Sequence, residues 1–296
     1  MVEGKEIYFG LLDLDWKRRP GQAVRVIVSY LLLAIGAFIF LMPLFWLITT
    51  ALKTQPEVYV FPPECVPKTL LVSHFWTAWT YPKTNFPLWT LNTLIITFFN
   101  VLGQVFAAAW VAYGFARIKF PTRDFWFMLV LASIMLPGAV VLIPLYILFS
   151  KIHWLDTFLP LTVPVFFGGG AFNIFLFRQF FKSIPIELEE AAIIDGANRF
   201  RILFQIILPL SKPILATIAV FAFQGVWNDF YGPLIYLSSV DKYTLALGVN
   251  SFKGLYATEI PLMMAASTLM VIPMIVVFFF AQKQMIRGVI LSGIKA

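Results

Sequence analysis

Apolar positions along this chain come in long unbroken runs separated by short charged stretches. Neither the two-residue alternation of a half-buried strand nor the narrow stripe of a surface helix organises them. Runs free of Asp, Glu, Lys and Arg cover Val26–Leu52, Thr84–Ala116, Phe125–Ser150, Thr157–Phe177 and Ile260–Gln282, with lengths from 21 to 33 residues. A sixth, Pro213–Asn228, has 16 residues and stays apolar past Asp229 to about Leu237. About 20 helical residues cross a hydrocarbon layer of about 30 Å. The pattern therefore predicts an all-α membrane protein with six transmembrane helices, the second entering from about Leu91 after a short interfacial lead-in. Continuous apolarity excludes a β-barrel, whose strands alternate over about 10 residues. Pro43, Pro137, Pro144, Pro164, Pro233 and Pro273 fall in or beside these runs and predict kinks.

Composition removes the soluble alternative. The chain is 60% hydrophobic and 12% charged, with mean hydropathy +0.85. Soluble domains average about 45–50% apolar and about 25% charged. The net charge of +7 is explained by where the cations lie. Six spans place both ends on one side, and that side holds 16 of the 22 Lys and Arg residues. By the bias of basic residues toward cytoplasmic loops, both termini are cytoplasmic and no nucleic-acid partner is needed. The run after Arg25 is too long for a signal-peptide core, so the first span reads as an uncleaved anchor. The chain divides into a cytoplasmic segment 1–25, a six-helix transmembrane domain 26–282 and a cytoplasmic tail 283–296. A single cysteine, Cys65, excludes an intrachain disulfide framework, and His74 and His153 do not form a metal cluster.

Catalytic chemistry is hard to find. Asp229 is the one charged residue well inside a span, and no Gly-x-x-x-x-Gly-Lys-Ser/Thr phosphate loop exists. Gly168, Gly169 and Gly170 lie inside the fourth span, where close helix approach is the expected use. Asn100, Gln104, Gln224 and Asn228 are either interhelical hydrogen-bonding groups or polar groups of a solute path. Trp227 beside Asp229 fits an aromatic belt or stacking on a sugar ring. Asn228, Asp229, Trp227 and Gln224 are thus candidates for a translocation path or its outer gate, the alternative being a helix end at the outer headgroups.

The informative stretch is the largest cytoplasmic loop, 179–212. Ser183, Pro185, Glu187, Glu189 and Glu190 match a helix start, with acids at the positive end of the dipole. Leu188, Ala191 and Ala192 share a face, and Gly196 after Asp195 suits a left-handed stop. A second amphipathic helix is predicted from Asn198 to Leu208, stopped by Pro209. Helices that rest on a bilayer favour Lys and Arg with large apolar residues. The acidic, alanine-containing segment 187–195 is better suited to a partner's groove.

Glu190, Ala191 and Ala192, then Gly196, then Ile206, Leu208 and Pro209 reproduce the spacing of the Glu-Ala-Ala loop signature of ATP-binding-cassette importer permeases. Met135–Gly138 with Ile143–Tyr146, Phe177–Phe181, Trp227–Phe230 and Arg287-Gly288 resemble the carbohydrate-uptake group of the maltose and oligosaccharide type, as its smaller six-span partner. The resemblance implies an importer in a bacterial or archaeal cytoplasmic membrane. It has a second permease, two ATPase subunits that use ATP and Mg, and an extracytoplasmic solute-binding protein. It further implies that the helix ending at Gly196 couples to an ATPase, that the chain binds no cofactor itself, and that Gly288 and Gly293 let the tail approach the ATPase pair. A secondary transporter, an importer permease for a non-sugar solute and a membrane enzyme are the competing classes. The first lacks ionisable groups beyond Asp229, and the last lacks a catalytic set.

Overall fold

The computed structural model describes residues 20–81, 84–253 and 259–293, with side chains described from Val24 to Gln282. Residues 1–19 therefore lie outside the described residues, as do the side-chain surroundings of the expected tail contacts at Gly288 and Gly293. Among the described residues all regular structure is helical.

Helix α1 (Pro20–Ala51) is followed by two short helices, α2 (Gln55–Val58) and α3 (Ser73–Thr80). Helix α4 (Phe86–Arg117) runs 32 residues without a break, about 48 Å at 1.5 Å per residue. Helices α5 (Arg123–Ile134) and α6 (Gly138–Lys151) meet at 97°. A broken element comes next: α7 (Leu159–Thr162), a 3-10 turn at Pro164–Phe166 and α8 (Ala171–Ser183). The loop after it carries α9 (Glu187–Ile194), α10 (Arg199–Ile202), a π-helical turn at Leu203–Ile207 and α11 (Leu208–Leu210). Helices α12 (Lys212–Trp227), α13 (Tyr231–Tyr236), α14 (Leu245–Val249) and α15 (Ile260–Gly293) complete the chain.

Four segments are long and apolar enough to cross a bilayer by themselves: Val24–Ala51, Phe86–Arg117, Leu159–Ser183 and Ile260–Gln282. Two sharply bent pairs raise the number to six. The third expected run is one of them, and its break falls at Pro137, which has no N–H to continue the helix. The other is the segment Arg199–Leu210 with α12, bent by 81°. Helix α1 starts at Pro20, ahead of the charge-free run, and α15 continues past Gln282 to Gly293.

Buried apolar side chains form two separate cores. One lies at the end of the bundle that carries Arg117, Arg178 and Arg199, and packs Ala108, Tyr113, Phe177, Phe181, Ile202 and Ile218. The second, at the opposite end, joins Ala51, Trp89, Trp227, Leu245 and Ala265. Helix α4 contributes to both, through its two halves. A row of polar side chains on one face of α4 fastens the other elements to it. Trp89 donates to the Val240 carbonyl, and Asn92 to those of Asp241 and Tyr243. Thr93 accepts from the Leu245 amide at 2.8 Å, and Asn100 donates to the Leu161 carbonyl. Farther along, Asn173 donates to Gln104 at 2.9 Å. The opposite face of α4 leaves Leu91, Phe98, Phe106 and Trp110 exposed, as lipid or a partner subunit requires.

The loops at the Trp89 end are tied together by Asp156. Its carboxylate accepts from the Ser238 and Ser239 amides, both at 2.9 Å, from the Ser239 hydroxyl at 2.6 Å and from Lys242 at 3.0 Å. Led by the Ser239 hydroxyl, these donors hold its carboxyl well below the usual carboxylate range.

The glycine turn approaches the backbone of α4 closely. Gly169 has φ +71°, and a Cβ there would lie 2.4 Å from the Ala108 nitrogen and 2.6 Å from the Gln104 oxygen. Gly114, by contrast, faces no neighbour within 4 Å and sits in ordinary helix. We expect Gly169→Ala to lower stability by about 3 kcal/mol, from overpacking and left-handed strain together. Gly114→Ala should be neutral or stabilising by about 0.5 kcal/mol. Thermal unfolding midpoints of the detergent-solubilised variants check both.

Candidate functional site

The acidic helix of the long loop is built differently at its start than the residues predict. Ser183 donates its hydroxyl to the Phe180 carbonyl at 2.7 Å, so it closes α8 and does not cap α9. Helix α9 opens at Glu187, where the amides of Glu189 and Glu190 donate to the Ile186 carbonyl at 2.9 and 3.1 Å. Its first turn holds Glu187, Glu189 and Glu190, at the positive end of the dipole. Its end matches the expectation. Gly196 adopts φ +79°, its amide donates to the Ile193 carbonyl, and the Ala197 amide donates to the Ala192 carbonyl at 2.9 Å. These two bonds make a Schellman stop, which a residue with a Cβ would strain.

The three glutamates face different ways. Glu190, Ala191, Asp195 and Gly196 are exposed, as are Leu188, Ile193 and Ile194, with Ile194 at 86%. Glu189 and Ala192 turn inward, with Glu189 only 1% exposed. The face expected from Leu188, Ala191 and Ala192 is thus divided, because the buried stripe runs from Glu189 to Ala192. What turns it is Arg117, the last residue of α4. Arg117 Nε lies 2.9 Å from Glu189 Oε1, and Arg199 approaches the other carboxylate oxygen at 3.6 Å. Neither contact meets hydrogen-bond geometry, so both are charge contacts. Burial pushes the Glu189 carboxyl up from its ordinary value, against the opposing pull of Arg117 and Arg199. The Arg117 guanidinium also donates to the carbonyls of Phe181 and Ile184, at and just beyond the end of α8. One arginine therefore joins the ends of α4 and α8 to the root of α9. The sequence marks Glu189 only as a first-turn acid and gives no sign of its pairing with Arg117, although a lone arginine ending a long apolar helix is a visible signal.

The second helix of the loop is also corrected. Asn198 caps it, accepting from the Arg201 amide at 2.9 Å. It does not stop at Pro209 but continues to Leu210, through the π-helical turn Leu203–Ile207. The widened turn gives the Pro209 ring room that an α-helix would not. Ile202, Leu203 and Ile207 are buried, with Ile206 and Leu208 half-buried beside them. The signature residues Glu190 to Pro209 are thus brought into one surface layer at the arginine-rich end.

Of the four candidates for a solute path, Gln224 and Asn228 lie together, the Asn228 side chain donating to the Gln224 carbonyl at 3.0 Å, while Trp227 and Asp229 turn elsewhere. Trp227 is 1% exposed, donates to the Met270 carbonyl at 2.9 Å and stacks on Phe223, so it anchors α12 to α15. Gln224 is exposed, and Asn228 turns toward α15, where it lies 3.1 Å from the Met274 sulfur. Asp229 accepts from the Gly232 amide at 3.1 Å and faces a small internal cavity of about 50 Å³ shared with Thr93, Asn100, Leu161 and Thr244. Among the described residues no group of three or more His, Cys, Asp or Glu is placed to hold a metal ion.

Comparison with known proteins agrees with this geometry. Residues 104–290 match the family model described as the binding-protein-dependent transport system inner membrane component. A putative ABC transporter permease protein ORF2 of Caldicellulosiruptor sp. is 32% identical over 266 residues, covering 90% of this chain and 96% of that protein. The sn-glycerol-3-phosphate transport system permease protein UgpE of Escherichia coli is 33% identical over 270 residues, covering 89% and 95%. The crystal structure of a bacterial ABC transporter that imports the acidic polysaccharide alginate has a chain of the same fold, with TM-score 0.76 and 24% identity over 88% of this chain and 96% of that one. The matched family, and a signature loop built as a capped acidic helix on the end of a membrane bundle, agree: this chain belongs to the binding-protein-dependent ABC importer permeases.

Proposed function

We propose that this chain is one permease of a heterodimeric carbohydrate importer and that α9 is the element through which a separate ATPase drives it. The observation that carries the reading is the division of α9. Its exposed side offers Glu190, Ala191 and the apolar Ile193 and Ile194, while Glu189 and Ala192 hold it on the bundle. An apolar and acidic surface of this kind, outside the spans, is suited to a cleft with apolar and basic walls. A displacement of α9 would be passed through Arg117 to the ends of α4 and α8 together. On this reading the arginine-rich end is cytoplasmic, as the distribution of Lys and Arg favours. ATP and Mg are used by the partner ATPases, not by this chain, and a solute-binding protein delivers the solute at the Asp156 end. The carbohydrate assignment is supported by the resemblance of Met135–Gly138, Phe177–Phe181 and Trp227–Phe230 to the sugar-uptake group.

Reconstitution tests the assignment. Proteoliposomes holding both permeases, the ATPases and the binding protein should take up sugar only with hydrolysable ATP, and the chain alone should accumulate none. Uptake driven by an ion gradient without ATP, or by the chain alone, would establish a secondary transporter instead.

Substitutions in α9 should separate docking from transmission. Glu190→Lys reverses an exposed charge and should weaken ATPase co-purification, while membrane insertion is normal. Glu189→Leu should act differently: stripping Arg117 of its buried partner should destabilise the loop by about 3–5 kcal/mol. The readout is uncoupled or absent uptake with accelerated proteolysis at 187–198. Normal uptake and normal co-purification in both variants would contradict the role given to α9.

A further inference from the structure

Midway along α4, an open groove of about 510 Å³ lies between α4, α5, α8 and α12. Gln104 is 13 residues from Arg117, about 20 Å along the helix axis, so the groove sits deep within the spans. Its wall contains Gln104, Asn173, Ser133 and Gly170, together with two aromatic rings, Phe172 and Phe221. The rings are 51% and 44% exposed. Gln104 and Asn173 are joined through Gln104 Oε1 and Asn173 Nδ2, and the latter also donates to the Gly169 carbonyl at 2.8 Å. Those bonds leave the Asn173 carbonyl oxygen and the Gln104 amide nitrogen without a hydrogen-bond partner among the described residues. One is an acceptor and the other a donor. Above them the span is unwound at Gly168, Gly169 and Gly170, all with positive φ. Gly170 has no side chain to cap α8, so the first amides of that helix also need an outside acceptor.

Unwound backbone and unpaired amides at this depth are unfavourable against lipid and are tolerated where they line an aqueous or ligand-filled space. Broken helices in mid-membrane recur at solute sites in transporters. No charged side chain lines the groove. We propose that it is a solute subsite for a neutral, hydroxyl-rich molecule. Hydroxyl groups both donate and accept, so they match the Gln104 amide, the Asn173 carbonyl and the α8 amides at once. Phe172 and Phe221 offer apolar faces to a sugar ring, and the volume lies within the about 300–1,000 Å³ of small-molecule sites. The proposal rests on the import reading and adds to it that this permease itself contacts the solute.

The test uses the complete transporter in proteoliposomes on a Cys65→Ser background, which removes this chain's one native thiol, with the labelled parent as the blank for thiols of the other subunits. Phe172→Cys and Phe221→Cys, made singly, are treated with the charged reagent 2-sulfonatoethyl methanethiosulfonate. Phe98→Cys, on the opposite exposed face of α4, serves as the control. Both groove positions should react and lose uptake, while position 98 stays unlabelled. Separately, Gln104→Leu and Phe221→Ala should each raise KM about tenfold, the loss of roughly one hydrogen bond or ring contact. The probes are tritiated maltotriose, cellotriose and xylotriose, with trigalacturonate as the anionic comparison. ATP-dependent uptake by the Cys65→Ser parent is read first and tests import alone. If that parent takes up no probe, labelling by itself decides the groove. Groove cysteines that react only with lipophilic maleimides, or not at all, would mean that lipid or the partner permease fills it, and the proposal would fall. Uptake of trigalacturonate alone, or unchanged KM in both variants, would equally overturn it.

Discussion

Water is absent from most of this molecule's surroundings, so a polar side chain on a membrane helix must find its partner in the protein. Helix α4 turns that constraint into architecture. Trp89, Asn92, Thr93, Asn100, Gln104 and Arg117 all bond to elements other than α4 itself, and most of the partners are backbone groups at helix breaks and ends. The two constraints satisfy one another. The spans can be broken at Pro137, at the glycine turn and after Trp227, provided a neighbour supplies donors for the carbonyls released. Replacing this row with leucine would leave apolar contacts in place and orphan the carbonyls of Asp241, Leu161 and Ile184. Such orphaning costs more than the bonds themselves contribute.

The result is a chain with two cores and a polar waist. The arginine-end core holds the lower half of α4 with α8 and the α9–α11 layer, and the opposite core holds the upper half of α4 with α12, α14 and α15. Between them lie Asn100, Gln104, Asn173, the glycine turn, the small Asp229 cavity and the open groove. Tightly packed cores move as units, and deformation concentrates where packing is looser and hydrogen bonds can exchange. The proposed site of ATPase contact and the proposed solute groove thus sit on either side of one rigid block, joined by the unbroken α4. The Asp156 cluster fixes the loops at the far end in the same manner.

Much of this was legible in the residues. Long apolar runs located the major helices, and Gly196 announced the stop of α9. What failed was local and has local causes. The bend at Pro137 has the same composition as a straight span, since a kink and a fold-back differ only in what packs beside them. Pro209 reads as a stop until a π-helical turn gives its ring room. Trp227 and Asp229 share a motif yet point apart, because residues two apart in a helix lie about 200° from one another and α12 ends between them. The polar row on α4 was visible as residues at helical spacing, but its partners are carbonyls of other elements, which carry no sequence signal.

Glu189 shows why a buried charge belongs in such a loop. Burial raises its carboxyl's proton affinity above that of an unfolded glutamate, with Arg117 and Arg199 opposing the shift incompletely. A raised carboxyl pKa means that stability is greatest below the unfolded value near 4.5 and declines as pH rises through the raised one. At neutral pH the pair is therefore a net cost relative to a well-packed apolar contact. Its contribution must be orientation. An apolar Glu189–Ala192 stripe could slide or rotate on the flat ends of α4 and α8. A carboxylate held by Arg117, itself held by two carbonyls, admits one azimuth of α9. That azimuth puts Glu190, Ile193 and Ile194 outward together. For a helix whose proposed task is to receive a push from another subunit, a fixed direction is worth more than a fraction of a stronger attachment.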